Sequence, residues 1–196
     1  MGRRRERRFR ESDLLAFMEA QTGATRDPLT ISIAGVTATP PVHLAPLYST
    51  DAGGLRLAMP FLAEGTRLGQ PCFLVAAGDA VDRYAKAMEL DGVEIVHFEG
   101  GNVAGALAQW EDSFAGALAR GANLIRIVGE MAAERTMFSS ESEMLAYEEA
   151  LDVMCKRYPV AILCQYDVRQ FDGVALLRAL KAHPDLFGLR SGAFLN

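Results

Sequence analysis

The chain has 196 residues, of which 50% are hydrophobic, which is enough apolar material for one domain with a substantial core. No apolar run approaches the roughly 20 residues that a membrane-spanning helix needs. The arginine-rich N-terminus is not followed by the apolar segment of a secretory signal. The three cysteines are odd in number and show no CxxC spacing, so we expect a cytoplasmic protein in a reducing setting.

Charge is unevenly distributed along the chain. The net charge is −5, but residues 1–10 contain six arginines and one glutamate, so this segment carries +5 and the remainder −10. Such an asymmetry is typical of a chain with a basic segment that contacts an anionic partner. The remainder of the chain, from residue 11 onward, is therefore acidic.

We expect neither a metal ion nor a cofactor. The three histidines, His43, His97 and His183, are far apart in the sequence and lack neighbours that resemble metal ligands. Structural zinc sites usually contain closely spaced pairs of Cys and His residues in the sequence, and this sequence has no such pair.

Apolar runs alternate with helical patterns along residues 42–196, which predicts an α/β fold. Strands that are separated by helices form βαβ units, so we expect a three-layer structure with a mostly parallel sheet and helices on both faces. Gly69 and Gly121 follow predicted helices as C-terminal caps, and Ser140 with Glu143 forms a capping box. The predicted strands are 42–48, 72–77, 93–98, 124–128 and 160–166, with a weaker one near 186–189, and the predicted helices are 55–68, 79–90, 103–120, 141–158 and 174–182.

Two prolines fit this pattern poorly. Pro46 lies within the first predicted strand, where it cannot donate a hydrogen bond to the ladder, and Pro60 lies within the first predicted helix. We expect a bulge at the first position and a kink at the second.

Polar side chains stand at the carboxyl ends of two predicted strands. The strand 124–128 is followed by Gly129-Glu130-Met131, and the strand 160–166 ends in Cys164-Gln165-Tyr166-Asp167. In open α/β proteins, ligands bind outside the carboxyl ends of the strands. The sequence therefore predicts a binding site at this edge, without naming its ligand.

The first strand–loop–helix unit lacks the residues that bind nucleotide phosphates. A working phosphate loop reads G-x-x-x-x-G-K-[ST], with a lysine on the phosphates. In the corresponding stretch, residues 49–56, Leu55 occupies the lysine position and Asp51 adds a negative charge. We therefore do not expect nucleotide hydrolysis, although the order of elements is that of a nucleotide-binding domain.

Residues 43–196 resemble the MEDS domain, a methanogen/methylotroph sensory domain of DcmR-type regulators. The matching motifs occur in the family's order along about 150 residues. They are His43 with Tyr48, residues 60–65, Gly129-Glu130-Met131, Tyr147-Glu148, Cys164-Gln165-Tyr166-Asp167, Phe171-Asp172-Gly173 and His183-Pro184. The resemblance implies a degenerate KaiC/RecA-like fold. It also implies a non-catalytic sensory domain of a bacterial transcription regulator, with a hydrocarbon-derived small molecule as its ligand.

The resemblance and the strand ends together predict one largely apolar pocket at the carboxyl edge of the sheet. The predicted ligand-binding residues are His43, Tyr48, Glu130, Tyr147, Glu148, Cys164, Tyr166 and Asp167, with Phe61 and Met131 as apolar neighbours. For three of these residues, a structural role is the alternative to ligand binding. In these alternatives, Tyr166 shares a strand face with Cys164 and packs in the core, Asp167 caps the following turn, and Glu148 pairs with Arg126.

Residues 2–17 resemble the wing and final helix of a MerR/excisionase-type winged helix-turn-helix, with Ser12 and Asp13 at the start of the helix. This implies contact between the DNA backbone and Arg3, Arg4, Arg5, Arg7, Arg8 and Arg10. The recognition helix should precede this segment, so we expect a truncated DNA-binding domain at 1–20, a linker at 21–41 and a MEDS-like domain at 42–196. We expect weak DNA binding and, by analogy with two-fold operators, a homodimer. The alternative is a solvated basic arm.

An enzyme is not expected, because Cys164 has no base at a defined spacing and the chain has no G-x-S-x-G motif. Three classes of protein remain. We expect a sensory ligand-binding domain. The alternatives are a vestigial nucleotide-binding or NTPase domain and a protein-interaction module in a signalling complex.

Overall fold

A computed structural model describes residues 29–98 and 102–196. Within these residues, a six-stranded sheet lies between two layers of helices. The predicted α/β class and its three-layer, mostly parallel arrangement are confirmed. The basic segment with its six arginines, and the helix predicted after it, lie outside the described residues.

The sheet has the strand order β6-β5-β7-β8-β3, and β4 also pairs with β8. All of these pairs are parallel. A separate antiparallel hairpin, β1 with β2, precedes the sheet, in the part of the predicted linker that the structure describes. The strands are β1 Ile31–Ile33, β2 Val36–Ala38, β3 Val42–Leu44, β4 Leu47–Tyr48, β5 Cys72–Val75, β6 Val93–Val96, β7 Ile125–Glu130 and β8 Val160–Asp167.

Several of the helices begin at side chains that accept hydrogen bonds from the first turn. Thr50, Ser140 and Asp172 each cap a helix in this way, which satisfies backbone N–H groups that have no partner within the helix. The helices are α1 Asp51–Arg67, α2 Asp79–Ala87, α3 Val103–Ala119, α4 Met131–Glu134, α5 Glu141–Cys155 and α6 Gly173–Ala182. None of the described helices is both long and apolar enough to cross a bilayer.

Two sequence-based predictions need correction. The weak strand near 186–189 is wrong, because these residues follow Pro184 into a 3₁₀ turn, Pro184–Gly188. The first predicted strand is divided into β3 and β4 at Ala45-Pro46. Pro46 still takes part in the sheet through its carbonyl oxygen, which accepts a hydrogen bond of 2.9 Å from the Tyr166 N–H.

Each face of the sheet carries its own apolar core. The core under α3, α5 and α6 contains the aromatic side chains of Phe98, Trp110 and Phe114. The core under α1 and α2 contains Phe61, and the hairpin adds Ile33 to it. The two layers together bury β7 and β8 along their whole length.

Arg126 on β7 is a buried cation that lies on the α1 side of the sheet. It pairs with Glu64 at 2.7 Å and also donates to the Gln70 side chain and the Phe61 carbonyl oxygen. The alternative in which Arg126 pairs with Glu148 is therefore wrong, because Glu148 lies on the other face. The packing of Arg126 also requires a small residue in α1.

That small residue is Gly65. A Cβ atom there would lie 2.6 Å from Arg126 Cδ and closer still to Cys72 Sγ. We expect Gly65→Ala to lower the free energy of unfolding by roughly 1–3 kcal/mol, as overpacked cores do. Gly116, near the end of α3, is the control because a Cβ there meets only the flexible end of Arg120. We expect Gly116→Ala to be neutral or to stabilise by up to about 1 kcal/mol through helix propensity. Urea denaturation checks both, and equal effects would contradict the packing argument.

Candidate functional site

Side-chain alternation along β7 and β8 divides the predicted site between the two faces of the sheet. Glu130 pairs in register with Gln165, and both side chains point towards α1 and α2. Cys164 and Tyr166 point towards α5 and α6. The prediction that Glu130 and Tyr166 share one pocket is therefore wrong, because neighbouring residues of a strand face opposite sides. The two apolar neighbours divide in the same way, with Phe61 on the α1 side and Met131 on the α5 side.

On the α1 side, Glu130 is the centre of a closed polar network. Its carboxylate accepts hydrogen bonds from Tyr48 at 2.9 Å, Tyr84 at 2.7 Å and Gln165 at 3.2 Å. Arg83 pairs with it at 3.2 Å and is 23% exposed, so it links the network to the surface. Burial raises the pKa of Glu130, and the bonds from Tyr84 and Arg83 oppose that rise only in part. Every carboxylate oxygen in this network has a partner.

Asp167 lies near this network at the end of β8 and is held by the turn that follows. Its two carboxylate oxygens accept hydrogen bonds from the Arg169 backbone and side chain at 2.7–3.0 Å, and from Gln170 at 3.1 Å. Burial alone would raise the pKa of Asp167, but these bonds lower it from 3.8 to about 2. Arg169 also pairs with Asp51 at 2.6 Å, which ties the turn to the start of α1.

On the opposite face, four fully buried side chains form what we call the His–Glu–Cys cluster: His43, Glu148, Cys164 and His183. Glu148 Oε2 lies 3.0 Å from His183 Nε2 and 3.5 Å from His43 Nε2. Cys164 Sγ lies 3.2 Å from His43 Nε2. The two imidazole rings are 3.9 Å apart between centroids. The cluster joins β3, β8, α5 and the end of α6.

The charges of the cluster follow from its burial and its close contacts. Burial alone would raise the pKa of Glu148, but the two histidine rings lower it to about 2. Burial alone would lower the pKa of His43, yet Asp152 and Glu148 raise it. Burial and the charge of His43 lower the pKa of His183. The contacts within the cluster thus favour the charged forms of His43 and Glu148 and the neutral form of His183.

Polar atoms in and around this cluster lack hydrogen-bond partners. Both oxygens of Glu148, His183 Nε2, the Tyr166 hydroxyl and Glu134 Oε1 are buried without one. Burial, followed by the charge of Glu148, raises the pKa of Glu134 well above its usual value, which favours its neutral form. Gly129 makes room for it, because a Cβ there would lie 3.0 Å from Glu134 Oε2.

A sequence model of the MEDS family, described as the methanogen/methylotroph, DcmR sensory domain, matches residues 42–184. The chain belongs to the MEDS family. It is also 32% identical over 210 residues to the transcriptional repressor DcmR of Methylorubrum extorquens (strain DSM 6343 / CIP 106787 / DM4). That match covers 95% of this chain and 79% of the repressor, so it extends beyond the family match into the N-terminal segment. The chain is thus similar to a transcription regulator and carries a sensory domain.

Several polar residues of this MEDS domain were missed by sequence reasoning. Gln165 and His183 lie within the quoted family motifs but were not assigned to the site. Metal binding was not expected because the histidines are far apart in the sequence, but this reason is wrong for His43 and His183, whose rings are in contact in the fold. No local signal marked Glu134 or Tyr84, whose positions depend on how the helices cover the sheet.

Tyr147 lies in an aromatic environment in the core of the MEDS domain. Its hydroxyl accepts a hydrogen bond of 2.7 Å from the Trp110 indole N–H. Its ring packs against Phe98 and Phe138. Tyr147 is therefore a core residue with a satisfied hydroxyl, and its role in binding stays a prediction.

The stability contribution of Asp167 should depend on pH. Its pKa is lower in the folded protein than the ordinary 3.8, so it stabilises the fold above that value and loses this effect as pH falls towards about 2. We expect Asp167→Asn to lower the melting temperature at pH 7 and to have little effect near pH 2. Asp112→Asn, an exposed position on α3, serves as the control. Calorimetry across this range checks the prediction, and a pH-independent difference would contradict it.

Proposed function

We propose that this chain is the non-catalytic sensory part of a bacterial transcription regulator, which binds a small hydrocarbon-derived molecule and thereby changes its DNA binding. Family membership and the similarity to a transcriptional repressor support the regulatory role. The observation that carries the sensory role is the group of buried polar atoms without partners between β8 and α5. Each such group costs about 1–3 kcal/mol, which a ligand that completes its bonding would offset.

The proposed ligand site is the layer between β8, α4 and α5. Tyr166 and Glu134 supply an unpartnered hydroxyl and an unpartnered carboxyl oxygen. The ring of Phe171 packs against that of Tyr166 at 5.1 Å, and Met131 and Met137 belong to the same apolar core. A small molecule would gain about 25 cal/mol for each Å² of apolar area that it buries, while its hydroxyl or carbonyl group bonds to the two polar side chains.

We propose that residues 131–137 open to admit the ligand. This segment consists of one short α-helix, Met131–Glu134, and one 3₁₀ turn, Arg135–Met137. Its helix contacts β8. Short elements with few backbone hydrogen bonds unfold locally at low cost, so this is the part of the layer that can move most easily.

The predicted residues Tyr48, Glu130 and Asp167 take a supporting role in this proposal. Their polar atoms already have protein partners. A ligand that bonded to them would first have to displace those partners. Their network instead connects the ends of β7 and β8 to α1 and α2, and it holds the carboxyl edge of the sheet in place.

The nucleotide-binding alternative is opposed by contacts at the start of α1. The Ser49 backbone N–H donates to the Asn196 carbonyl oxygen at 2.8 Å, and the Gly53 N–H donates to the Thr50 hydroxyl oxygen. Asp51 pairs with Arg169 at this same turn. These contacts occupy N–H groups that would bind phosphate in a nucleotide-binding loop, and Leu55 replaces the lysine.

A thermal-shift screen over small apolar, hydroxylated and halogenated compounds tests the proposed function, with ATP and magnesium as a separate arm. A ligand at 100 times its Kd should stabilise the fold by about 2.7 kcal/mol, whereas ATP should give no shift. For a hydroxylated ligand, Tyr166→Phe should weaken binding roughly 2- to 10-fold, as expected for one lost hydrogen bond. Without ligand, Tyr166→Phe should not destabilise the protein, because its hydroxyl has no partner.

Tyr158→Phe is the matched control, because Tyr158 packs on the same face of the sheet against Phe114. This change should leave ligand binding unaffected. A shift with ATP alone would favour the nucleotide-binding alternative. The absence of a shift with every compound, for wild-type and variants alike, would oppose a sensory role for the layer.

DNA binding by the N-terminal arginines is a separate proposal that rests on the sequence alone. If all six neutralise phosphates, the logarithm of the association constant should fall with the logarithm of salt concentration at a slope of about −5. Replacing them with glutamine should abolish most of this binding, whereas Arg120→Gln on the domain surface should not. Phosphate contacts carry little sequence information. Sequence-specific binding that persists at about 200 mM salt would contradict this interpretation.

A further inference from the structure

The His–Glu–Cys cluster has the composition and spacing of a metal site. One ligand atom from each of His43, Glu148, Cys164 and His183 can be chosen so that all lie within 4.8 Å of one another. We propose that these four side chains bind one divalent transition-metal ion, and that zinc matches their mixed nitrogen, sulfur and oxygen chemistry best. Metal binding itself is independent of the proposed function, whereas a role of the metal in sensing rests on it.

The ligand atoms lie close to the separations of tetrahedral coordination, and two of the three closest pairs are shorter by up to about 0.3 Å. Zinc lies about 2.0–2.1 Å from nitrogen or oxygen and about 2.3 Å from sulfur, which separates neighbouring ligand atoms by roughly 3.3–3.8 Å. The observed separations are 3.0 Å for His183–Glu148, 3.5 Å for His43–Glu148 and 3.2 Å for His43–Cys164. The side chains would have to move apart by a few tenths of an ångström at the two shortest pairs to hold the ion.

The second nitrogen of one imidazole is positioned as in metal-binding histidines. His183 Nδ1 lies 2.7 Å from the Ala179 carbonyl oxygen, which can only accept, so the proton is on Nδ1 and Nε2 has a free lone pair. Metal-bound histidines usually direct their other N–H to a carbonyl or carboxylate, as His183 does here. His43 Nδ1 faces the Asp152 carboxylate at 3.4 Å, without hydrogen-bond geometry.

The charges also balance. A divalent cation would be neutralised by the Glu148 carboxylate and by Cys164, whose thiol a metal ion would deprotonate. Coordination would also satisfy Glu148 Oε2 and His183 Nε2, which are buried without hydrogen-bond partners. A buried, uncompensated polar group is costly, so a metal ion accounts for these atoms together.

A second group, made of His43, Asp152 and Cys155, has compatible ligand atoms but fits less well. Asp152 already pairs with Lys156 at 3.2 Å and is partly exposed. Cys155 directs its thiol to the Asp152 backbone carbonyl at 3.1 Å. Asp152 and Cys155 are therefore engaged by other protein groups, whereas Glu148 and His183 leave buried atoms without hydrogen-bond partners.

Four protein ligands would close the coordination sphere, as in structural zinc sites. The ion would join β3, β8, α5 and the end of α6, and would lie in the same layer as Tyr166, whose ring is 6.2 Å from that of His183. Under the proposed function, the metal would hold this layer in the conformation that receives the ligand.

Metal binding can be measured on the full chain, purified without a histidine tag. We expect about one equivalent of zinc per chain by mass spectrometry of the metal content. After removal with a chelator, cobalt(II) should restore one equivalent and produce the sulfur-to-cobalt charge-transfer absorption. Cys164→Ser should remove this absorption. Cys72→Ser, a buried cysteine on the opposite face, should retain it. Asp152→Asn should keep the absorption but weaken metal affinity about 10- to 100-fold.

The cobalt titration of the wild-type protein decides the proposal even if a variant fails to fold. No bound metal and no charge-transfer absorption would overturn it and leave the cluster as a His43–Glu148 ion pair. Absorption that is lost in Cys155→Ser but kept in Cys164→Ser would assign the metal to the other group, and so would overturn this ligand set. Neither readout involves the sensed molecule, so failure of the ligand screen and failure of metal binding are distinguishable.

Discussion

Strand β8 is buried along all eight of its residues, and the rest of the structure depends on this constraint. A polar side chain on such a strand cannot reach water, so it has to find a partner within the protein. On one face of the sheet, the Gln165 amide donates hydrogen bonds to Glu130 and Tyr84. Cys164 and Tyr166 face the other layer. Two separate polar groups, one on each face, are the direct consequence.

The two groups differ in how completely their bonds are formed. Glu130 has four protein partners, and its network is a closed structural unit at the carboxyl edge. The His–Glu–Cys cluster retains buried atoms without partners, and Tyr166 next to it does as well. Unsatisfied buried groups are destabilising unless something else completes them. This difference, rather than the position at a strand end, is the reason for proposing a site on the α5 side.

Through His43, the His–Glu–Cys cluster is close in the chain to the β1–β2 hairpin. His43 lies on β3, which directly follows the β1–β2 hairpin in the chain. Ile31 and Ile33 of the hairpin pack into the core under α1 and α2. Strand β3 thus joins the cluster on one face of the sheet to a hairpin that is anchored in the core on the other face.

The sequence by itself determined the alternation of strands and helices, the helix caps and the α/β class, because these depend on local periodicity and on residues a few positions apart. It also indicated the family and the polar ends of β7 and β8. Only the tertiary structure decided which side chains meet. His43 and His183 come into contact although they stand at opposite ends of the domain. Glu130 and Tyr166 are separated although both stand at strand ends. The physical reason is that contacts across layers depend on strand order and on which face each residue takes, and neither follows from local sequence.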